Sequence, residues 1–278
     1  MTGFGNSAAQ ALIKRKDIDL VAIFTGKRQD NPFPYYHCEH LYALALRKRI
    51  SLYEGLRLKE ANSLYIIRSL TPDLIVTSTF NQIISIEIID IPKYGVVNVH
   101  PSLLPKYRGA TPTVWALLNG EKETGVSIHF IENEKIDSGK IIQQSKIKIN
   151  SDDTDGTLRF RLAELSKNTL SKAIDLILAN DKSTFIPQDE EKASFFPKRT
   201  INDAEIDLKR PYIEIANRIR AMTPYPGARL NYNDKEYLVK SSILLNYSDG
   251  IGQGDKNCLD LDTRDGKVRF LIEGNIGE

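Results

Sequence analysis

The chain has 278 residues, 41% hydrophobic and 27% charged, a balance typical of a soluble globular protein with one large domain and a small one or with two of medium size. Its 38 basic and 36 acidic residues leave a net charge of +2, which gives no general attraction to a polyanion such as nucleic acid. The sequence has no run of 18 or more apolar residues and no secretion leader, which argues against a membrane protein. The only two cysteines, Cys38 and Cys258, cannot build a disulfide framework or a zinc site alone, and we expect a cytoplasmic protein.

Short β-branched runs alternate with helical stretches in the first half of the chain. The predicted strands cover residues 18–25, 73–78 and 95–99, and the predicted helices cover 6–15, 37–48 and 56–69. This alternation predicts an α/β fold with a Rossmann-like, doubly wound parallel sheet. Further elements follow as a short helix over 112–119, strands over 124–131 and 140–149, and a long helix over 154–179 with Asp153 or Thr154 as its cap.

Two glycines stand near the start of the chain. Gly3, Gly5 and Ala8 fit the G-x-G-x-x-G/A spacing that brings a pyrophosphate to a helix amino end. That motif needs a strand before its glycines, and only Met1 and Thr2 precede them. We therefore interpret the glycines as the tight turn between a first strand and its helix.

A polar connector divides the chain into two predicted domains. The connector covers residues 183–196, so the domains cover 1–182 and 197–278. The second contains a predicted helix over 209–222, a proline-rich turn, and several short strands separated by Asn, Asp and Gly. It is predicted to be small and β-rich.

An amide, an imidazole and a carboxylate form the candidate catalytic group. Asn98 and His100 end a predicted strand, where open α/β sheets place ligands, and their spacing of two directs both side chains to one side. Asp137 lies in a loop between two later strands. Together they suit acyl transfer to nitrogen, because Asn98 can stabilise an oxyanion, His100 can take a proton and Asp137 can orient the imidazole. The structural alternatives are a hydrogen-bonded Asn-x-His pair and an ordinary Asp-Ser-Gly turn.

A longer motif extends this group. It consists of residues 98–105 (NVHPSLLP), Gly109, residues 120–129 (GEKETGVSIH) and residues 136–139 (IDSG). From about residue 70 to residue 180 the chain closely resembles the folate-dependent formyltransferases, which include methionyl-tRNA, glycinamide ribonucleotide and sugar-nucleotide N-formyltransferases. The resemblance implies formyl transfer from 10-formyltetrahydrofolate to a primary amine, with Asn98, His100 and Asp137 as catalytic residues and no metal.

The resemblance also implies binding residues for both substrates. The pterin of the folate is expected against the loop that precedes the catalytic strand, with the Asp137 loop opposite. The predicted folate-binding residues are Phe80, Asn81, Gln82, Ile83, Ile84 and Ser138. The predicted acceptor-binding residues are Ser102, Leu104, Pro105, Lys106, Arg108 and Tyr225. Lys106 and Arg108 suit a diphosphate, and the alternative is an ordinary solvated basic cluster. Tyr225 suits a stacked base, and the alternative is packing at the domain interface.

The sequence of the second domain narrows the range of possible acceptor substrates. Residues 197–200, 204–207 and 220–228 resemble the carboxyl-terminal domain shared by the tRNA and sugar branches, which the purine branch lacks. Residues 196–278 contain 13 basic and 13 acidic residues, whereas a tRNA-binding domain normally presents a basic face. We therefore favour a nucleotide-linked amino-deoxysugar, in particular one linked to dTDP, as the acceptor. Its formylated product is expected to be used in the biosynthesis of surface polysaccharides such as the O-antigen of lipopolysaccharide. The alternatives are methionyl-tRNA formyltransferase and a non-catalytic nucleotide- or folate-binding homologue.

Three further expectations follow from the sequence. Family members usually begin with a full strand, so we expect a truncated start or a compensating segment here. His37, His40 and His129 lie outside the Asn-x-His motif and are interpreted as structural or surface residues. The short β-rich tail offers an edge through which two copies could pair into a homodimer, and no nucleic acid or membrane partner is expected.

Overall fold

The computed structural model describes residues 3–27, 41–180, 182–245 and 257–275. These residues form two compact units that interleave along the sequence. The first unit contains residues up to Gly109, Thr124–Ile147 and Arg159–Phe195, and the second contains Ala110–Glu123, Lys148–Leu158 and the residues from Phe196 onward. The predicted division at residues 183–196 therefore stays a prediction. His37, Cys38, His40 and the start of the predicted 37–48 helix lie outside the described residues.

Helices and strands alternate through the first half of the chain, as the sequence predicts. In order they are α1 (Gly3–Lys14), β1 (Ala22–Thr25), α2 (Leu41–Lys48), β2 (Ser51–Glu54), α3 (Ala61–Ser69), β3 (Ile75–Ser78), α4 (Ile86–Ile89) and β4 (Val96–His100). The middle of the chain adds β5 (Arg108–Gly109), α5 (Pro112–Leu118), β6 (Glu123–Ile131), β7 (Ile141–Lys148) and α6 (Asp155–Ala179).

Most strands of the first unit belong to one of two sheets. β1 and β2 are parallel, and a second sheet has the order β3-β4-β6-β7. Within that sheet β3 and β4 are parallel, while β4 and β6 are antiparallel. The predicted α/β class with a parallel sheet core is confirmed. β4 is central and almost fully buried, as its run of valines leads one to expect.

The interpretation of the first glycines is wrong. Gly3 and Gly5 lie inside α1 rather than in a turn, and Gly5 adopts no positive φ. The helix forms because Ala8, Ala9 and Ala11 have high helix propensity and pack with Phe4 on its buried face. β2 also falls at the boundary of two predicted helices, where no strand was expected.

The remaining strands build the second unit. Its later elements are β8 (Phe195–Phe196), α7 (Tyr212–Met222), β9 (Ala228–Tyr232), β10 (Lys235–Leu244), β11 (Cys258–Thr263) and β12 (Gly266–Asn275). The last four form an antiparallel sheet of order β11-β12-β10-β9, against which α7 packs. The predicted small β-rich carboxyl-terminal unit is confirmed. In the described part of the chain, no helix is long and apolar enough to cross a membrane.

Candidate active site

The register of three strands places Thr77, Asn98 and His129 side by side across the sheet. Asn98 pairs with Thr77 on β3 and with His129 on β6. The Thr77 hydroxyl donates to Asn98 Oδ1 at 2.9 Å, while Asn98 Nδ2 lies 3.2 Å from His129 Nε2. Since His129 Nδ1 lies 2.8 Å from the Phe130 carbonyl, which can only accept, Nε2 is the acceptor for the Asn98 amide. The orientation of the Asn98 amide is thus fixed from both sides.

His100 follows two residues later on β4 and is 4% exposed. Its Nε2 lies 2.8 Å from the carbonyl oxygen of Tyr107, and its Nδ1 lies 3.5 Å from Asp137 Oδ2. Because the carbonyl accepts, the hydrogen of the neutral ring is on Nε2 and the lone pair is on Nδ1. The proton-accepting atom of His100 therefore faces a carboxylate.

The loop after β4 is held by a buried serine network. The Ser127 hydroxyl donates to the Ser102 carbonyl at 2.6 Å and accepts from the backbone N–H of Leu104 at 3.0 Å. Gln144 adds bonds from its Nε2 to Ser127 Oγ at 2.7 Å and to the Leu104 carbonyl at 2.8 Å. This network fixes the loop that presents the Tyr107 carbonyl to His100.

Asp137 completes the group from the loop between β6 and β7. Its Oδ1 accepts from Asn98 Nδ2 at 3.2 Å, and its Oδ2 accepts from the Gly109 N–H at 2.8 Å. His129 Nε2 is 3.4 Å from Oδ1. The structure thus brings the three predicted catalytic residues together and adds His129, which is 1% exposed.

Burial and charge set the ionisation of the two central groups. Burial lowers the pKa of His100 below its ordinary value of 6.5, although the facing carboxylate of Asp137 opposes this shift. Burial alone would raise the pKa of Asp137, but the positive charge that the His100 and His129 rings carry when protonated, together with the Gly109 N–H, outweighs it and holds that pKa well below its usual range. Near neutral pH the site therefore contains a neutral imidazole beside an ionised carboxylate.

The loop predicted to bind the pterin follows β3. The side-chain amide of Gln82 is hydrogen-bonded within the protein. It accepts from the Leu58 N–H at 2.9 Å and donates to the Leu56 carbonyl at 3.0 Å. Phe80 and Ile84 pack into an apolar cluster with Leu58, Ile67 and Ile88. Asn81 and Ile83 are exposed. These two are the residues of the loop that can reach a ligand, and their role stays a prediction.

The other predicted binding residues have different surroundings. Ser102 and Leu104 are buried in the loop after β4, Pro105 is half-buried there, and Lys106 is exposed.

Arg108 is 8% exposed, and its guanidinium is bonded to Gln188 and Glu190. Ser138 donates to the Lys135 carbonyl at 3.2 Å. Tyr225 lies in the second unit, half-exposed, with the Arg199 guanidinium 5.4 Å from the centre of its ring.

Sequence reasoning missed His129. It was interpreted as a structural or surface residue because it lies outside the Asn-x-His motif. The sequence did contain a signal. His129 and Ser127 are two residues apart on a predicted strand, so both polar side chains point to the same face of a strand that is otherwise mostly apolar. Only the pairing of β4 with β6 reveals that this face is shared with Asn98.

Two regions of the chain match domains of known proteins. Residues 15–174 match the Formyl transferase family, and residues 199–272 match the Formyl transferase, C-terminal domain, family. The first match covers more than half of the 278 residues. The chain therefore belongs to the formyl transferase family.

Two relatives in sequence are methionyl-tRNA formyltransferases. The chain is 36% identical to that of Staphylococcus epidermidis over 73% of this chain and 64% of the relative, so it spans less than two thirds of the relative's length. It is 35% identical to that of Listeria monocytogenes over 81% of this chain and 72% of the relative.

Two of the solved structures with a similar fold are N-formyltransferases. The structure of WlaRD, a sugar 3N-formyl transferase in the presence of dTDP and 5-N-formyl-THF, has a TM-score of 0.71 and 25% identity, over 98% of this chain and 95% of that one. The Helicobacter canadensis N-formyltransferase, in complex with folinic acid and dTDP-3-aminofucose, has a TM-score of 0.65. It is 23% identical over 91% of this chain and 100% of that one, which establishes the fold alone.

Proposed function

We propose that the protein is an N-formyltransferase that moves the formyl group of 10-formyltetrahydrofolate onto the primary amine of a nucleotide-linked amino-deoxysugar. The observation that supports the reaction is that His100 Nδ1 lies 3.5 Å from Asp137 Oδ2, beside an Asn98 amide oriented by Thr77. Burial lowers the pKa of His100 and so favours the neutral ring that a base requires. The similarity to WlaRD over nearly the whole of both chains supports the folate donor and the dTDP-sugar acceptor.

The transfer needs no covalent enzyme intermediate. The acceptor amine attacks the formyl carbon, a carbon–nitrogen bond forms, and the formyl oxygen takes the negative charge. His100 Nδ1 accepts the proton that the amine loses, and Asp137 stabilises the resulting imidazolium. An Asn98 N–H exchanges its 3.2 Å bond for the oxyanion, an interaction of about 2.7–4 kcal/mol in comparable sites. When the intermediate collapses, the bond between the formyl carbon and the folate nitrogen breaks, and the His100 imidazolium gives its proton to that nitrogen. The products are tetrahydrofolate and a formamide, and His100 is again neutral.

The charge of the second unit favours the sugar acceptor over tRNA. Basic side chains on its sheet are paired with carboxylates across neighbouring strands, at 2.9 Å for Arg229–Glu236, 2.9 Å for Lys240–Glu273 and 2.7 Å for Arg269–Asp260. A polyanion would have to compete with these carboxylates. The identity of 36% to methionyl-tRNA formyltransferase supports the second candidate, transfer to the amine of initiator methionyl-tRNA.

An assay of tetrahydrofolate release from 10-formyltetrahydrofolate separates the candidates. It would be run with a panel of thymidine- and uridine-linked amino sugars and, in parallel, with initiator methionyl-tRNA. We expect turnover with one sugar nucleotide and a formylated sugar in the product. Turnover with the tRNA alone would contradict the acceptor, and folate binding without turnover on any acceptor would favour the non-catalytic homologue.

A further inference from the structure

The chain segment from residue 185 to residue 194, which we call the strap, lies within the predicted linker but is bonded to the first unit. Phe185 packs edge-on against Phe130 with 5.1 Å between the ring centres. The backbones of Ile186 and Ile141 exchange two hydrogen bonds of 2.8 and 2.9 Å. The strap is therefore anchored beside the strand that follows the Asp137 loop.

The side-chain amide of Gln188, in the strap, uses its full hydrogen-bonding capacity next to Asp137. Its Nε2 donates to the carbonyl oxygens of Asp137 at 2.8 Å and Gly139 at 2.7 Å. Its Oε1 accepts from Arg108 Nε at 3.1 Å and from a terminal nitrogen of Arg108 at 2.9 Å. Glu190 also pairs with Arg108, at 2.8 Å. Arg108 thus holds Gln188, and Gln188 holds the backbone of the Asp137 loop.

The far end of the strap supports the partner of His100. Ser194 Oγ accepts from the Tyr107 N–H at 2.9 Å, and the Ser194 carbonyl accepts from the Arg108 N–H at 2.8 Å. Tyr107 is the residue whose carbonyl accepts from His100. One segment therefore contacts both the Asp137 loop and the loop that orients His100.

Asp137 needs such support because its backbone is strained. Its φ of 50° lies in the left-handed region, which is unfavourable for a residue other than glycine. Such a conformation persists when neighbouring groups fix it, and Gln188 donates to the carbonyl of this very residue. We propose that Gln188 is a positioning residue for the formyl transfer and holds the Asp137 carboxylate against His100 Nδ1. The inference rests on the proposed function.

The titration of His100 reports on this role without any substrate. The titratable groups that face His100 are Asp137 and His129, and the carboxylate of Asp137 favours the protonated ring. Replacing Gln188 by Met removes all four hydrogen bonds, adds no charge and keeps a similar length. If the carboxylate then moves away, the pKa of His100 falls further.

The first test is NMR titration of the protein with ¹³C-labelled histidine, wild type against Gln188→Met, with the His100 signal assigned by its loss in His100→Asn. We expect the His100 midpoint to move to lower pH in the variant, while the control Gln143→Met, at another partly buried glutamine, titrates as wild type. An unchanged His100 midpoint in folded Gln188→Met would overturn the inference. If that variant does not fold, Gln188→Leu removes the same bonds and takes its place.

The second test is kinetic. Gln188→Glu keeps an acceptor for Arg108 but has no N–H to donate to the carbonyls of Asp137 and Gly139. We expect kcat to fall by about 10²-fold, because a misplacement of about 1 Å in a catalytic group can cause a loss of this size. KM for the folate should change less than kcat. Gln143→Glu introduces the same charge and should keep its kcat. A Gln188→Glu enzyme with wild-type kcat would contradict the positioning role. If the wild type transfers formyl to no acceptor and the His100 shift is nevertheless seen, the proposed function fails and the structural role of Gln188 stands.

Discussion

His100 Nε2 lies 2.8 Å from the carbonyl oxygen of Tyr107, and this single bond determines which ring nitrogen can act as a base. Because the carbonyl can only accept, Nδ1 is left with the lone pair. Asp137 Oδ2 stands 3.5 Å from that atom, so the charge formed when His100 takes a proton is met by an ionised carboxylate. The loop after β4 thus fixes the tautomer of His100 through a backbone atom.

The pH dependence of catalysis should reflect the buried state of His100. Burial lowers its pKa below 6.5, and the ring must be neutral to accept a proton. Activity should therefore be retained as the pH falls to 6.5 and should decline only below it, as His100 becomes protonated. The measurement is kcat/KM against pH over the acidic limb. A limb centred above 6.5 would contradict the assignment of His100 as a buried neutral base.

Thr77→Val should lower turnover although Thr77 is not expected to touch either substrate. The valine keeps the shape of threonine but removes the hydroxyl that donates to Asn98 Oδ1 at 2.9 Å. Loss of one such bond is worth about 1 kcal/mol, so kcat should fall by roughly 5–10-fold. Thr77→Ser keeps the hydroxyl and should remain close to wild type. Equal kcat in the Val and Ser variants would show that the hydroxyl does not orient the amide.

The fold class was predictable, and the candidate catalytic residues could be selected, because their signals are local. Asn98 and His100 share a strand, and Asp137 lies in a recognisable Asp-Ser-Gly loop. The parallel strands follow from short β-branched runs. These features need only the sequence within a few residues.

Other contacts depend on how distant segments meet. Gln188 lies 51 residues from Asp137, in a segment whose polar composition predicts a linker. Arg108 was predicted to bind a diphosphate or to lie on the solvated surface because its partner Glu190 lies 82 residues away and was not recognised. Gly3 and Gly5 were misinterpreted because a turn was inferred from their type, whereas neighbouring alanines and the burial of Phe4 decide for a helix. For Gln188 and Arg108, the spacing of residues along the sequence does not show which distant residues the fold brings into contact.

Gly139→Ala should disturb the Asp137 loop. A Cβ at this position would overlap the carbonyl oxygen of Phe130, and backbone cannot move as easily as a side-chain end. We expect a cost of about 1–3 kcal/mol in unfolding free energy and a fall in kcat of at least about tenfold. Thermal unfolding and kcat measure the two effects.

Gly5→Ala is the matched control for that variant. Its Cβ would meet Leu41 Cδ1 at 3.4 Å, an ordinary contact, and alanine in a helix should add about 0.5–1 kcal/mol of stability. A Gly139→Ala protein as stable and active as Gly5→Ala would refute the close packing of the loop on Phe130.

The second unit should depend on a buried ion pair. Arg199 and Asp155 are 7% and 0% exposed, 2.9 Å apart, and Thr113 donates to the other carboxylate oxygen at 2.6 Å. Arg199→Met leaves a buried charge without its partner and should cost about 3–5 kcal/mol in urea denaturation. The double variant with Asp155→Asn removes that charge and should recover part of the loss. A single variant within about 1 kcal/mol of wild type would show that the pair is dispensable.

The central claim is that His100 takes the proton of the attacking amine, and the most direct measurement is the turnover of His100→Asn with the acceptor identified in the panel. Asparagine keeps a polar side chain near Tyr107 but cannot act as a base at neutral pH. We predict a loss of about 10²–10⁴-fold in kcat, with folding and folate binding retained. A folded His100→Asn enzyme that turns over at close to the wild-type rate would remove His100 from the mechanism.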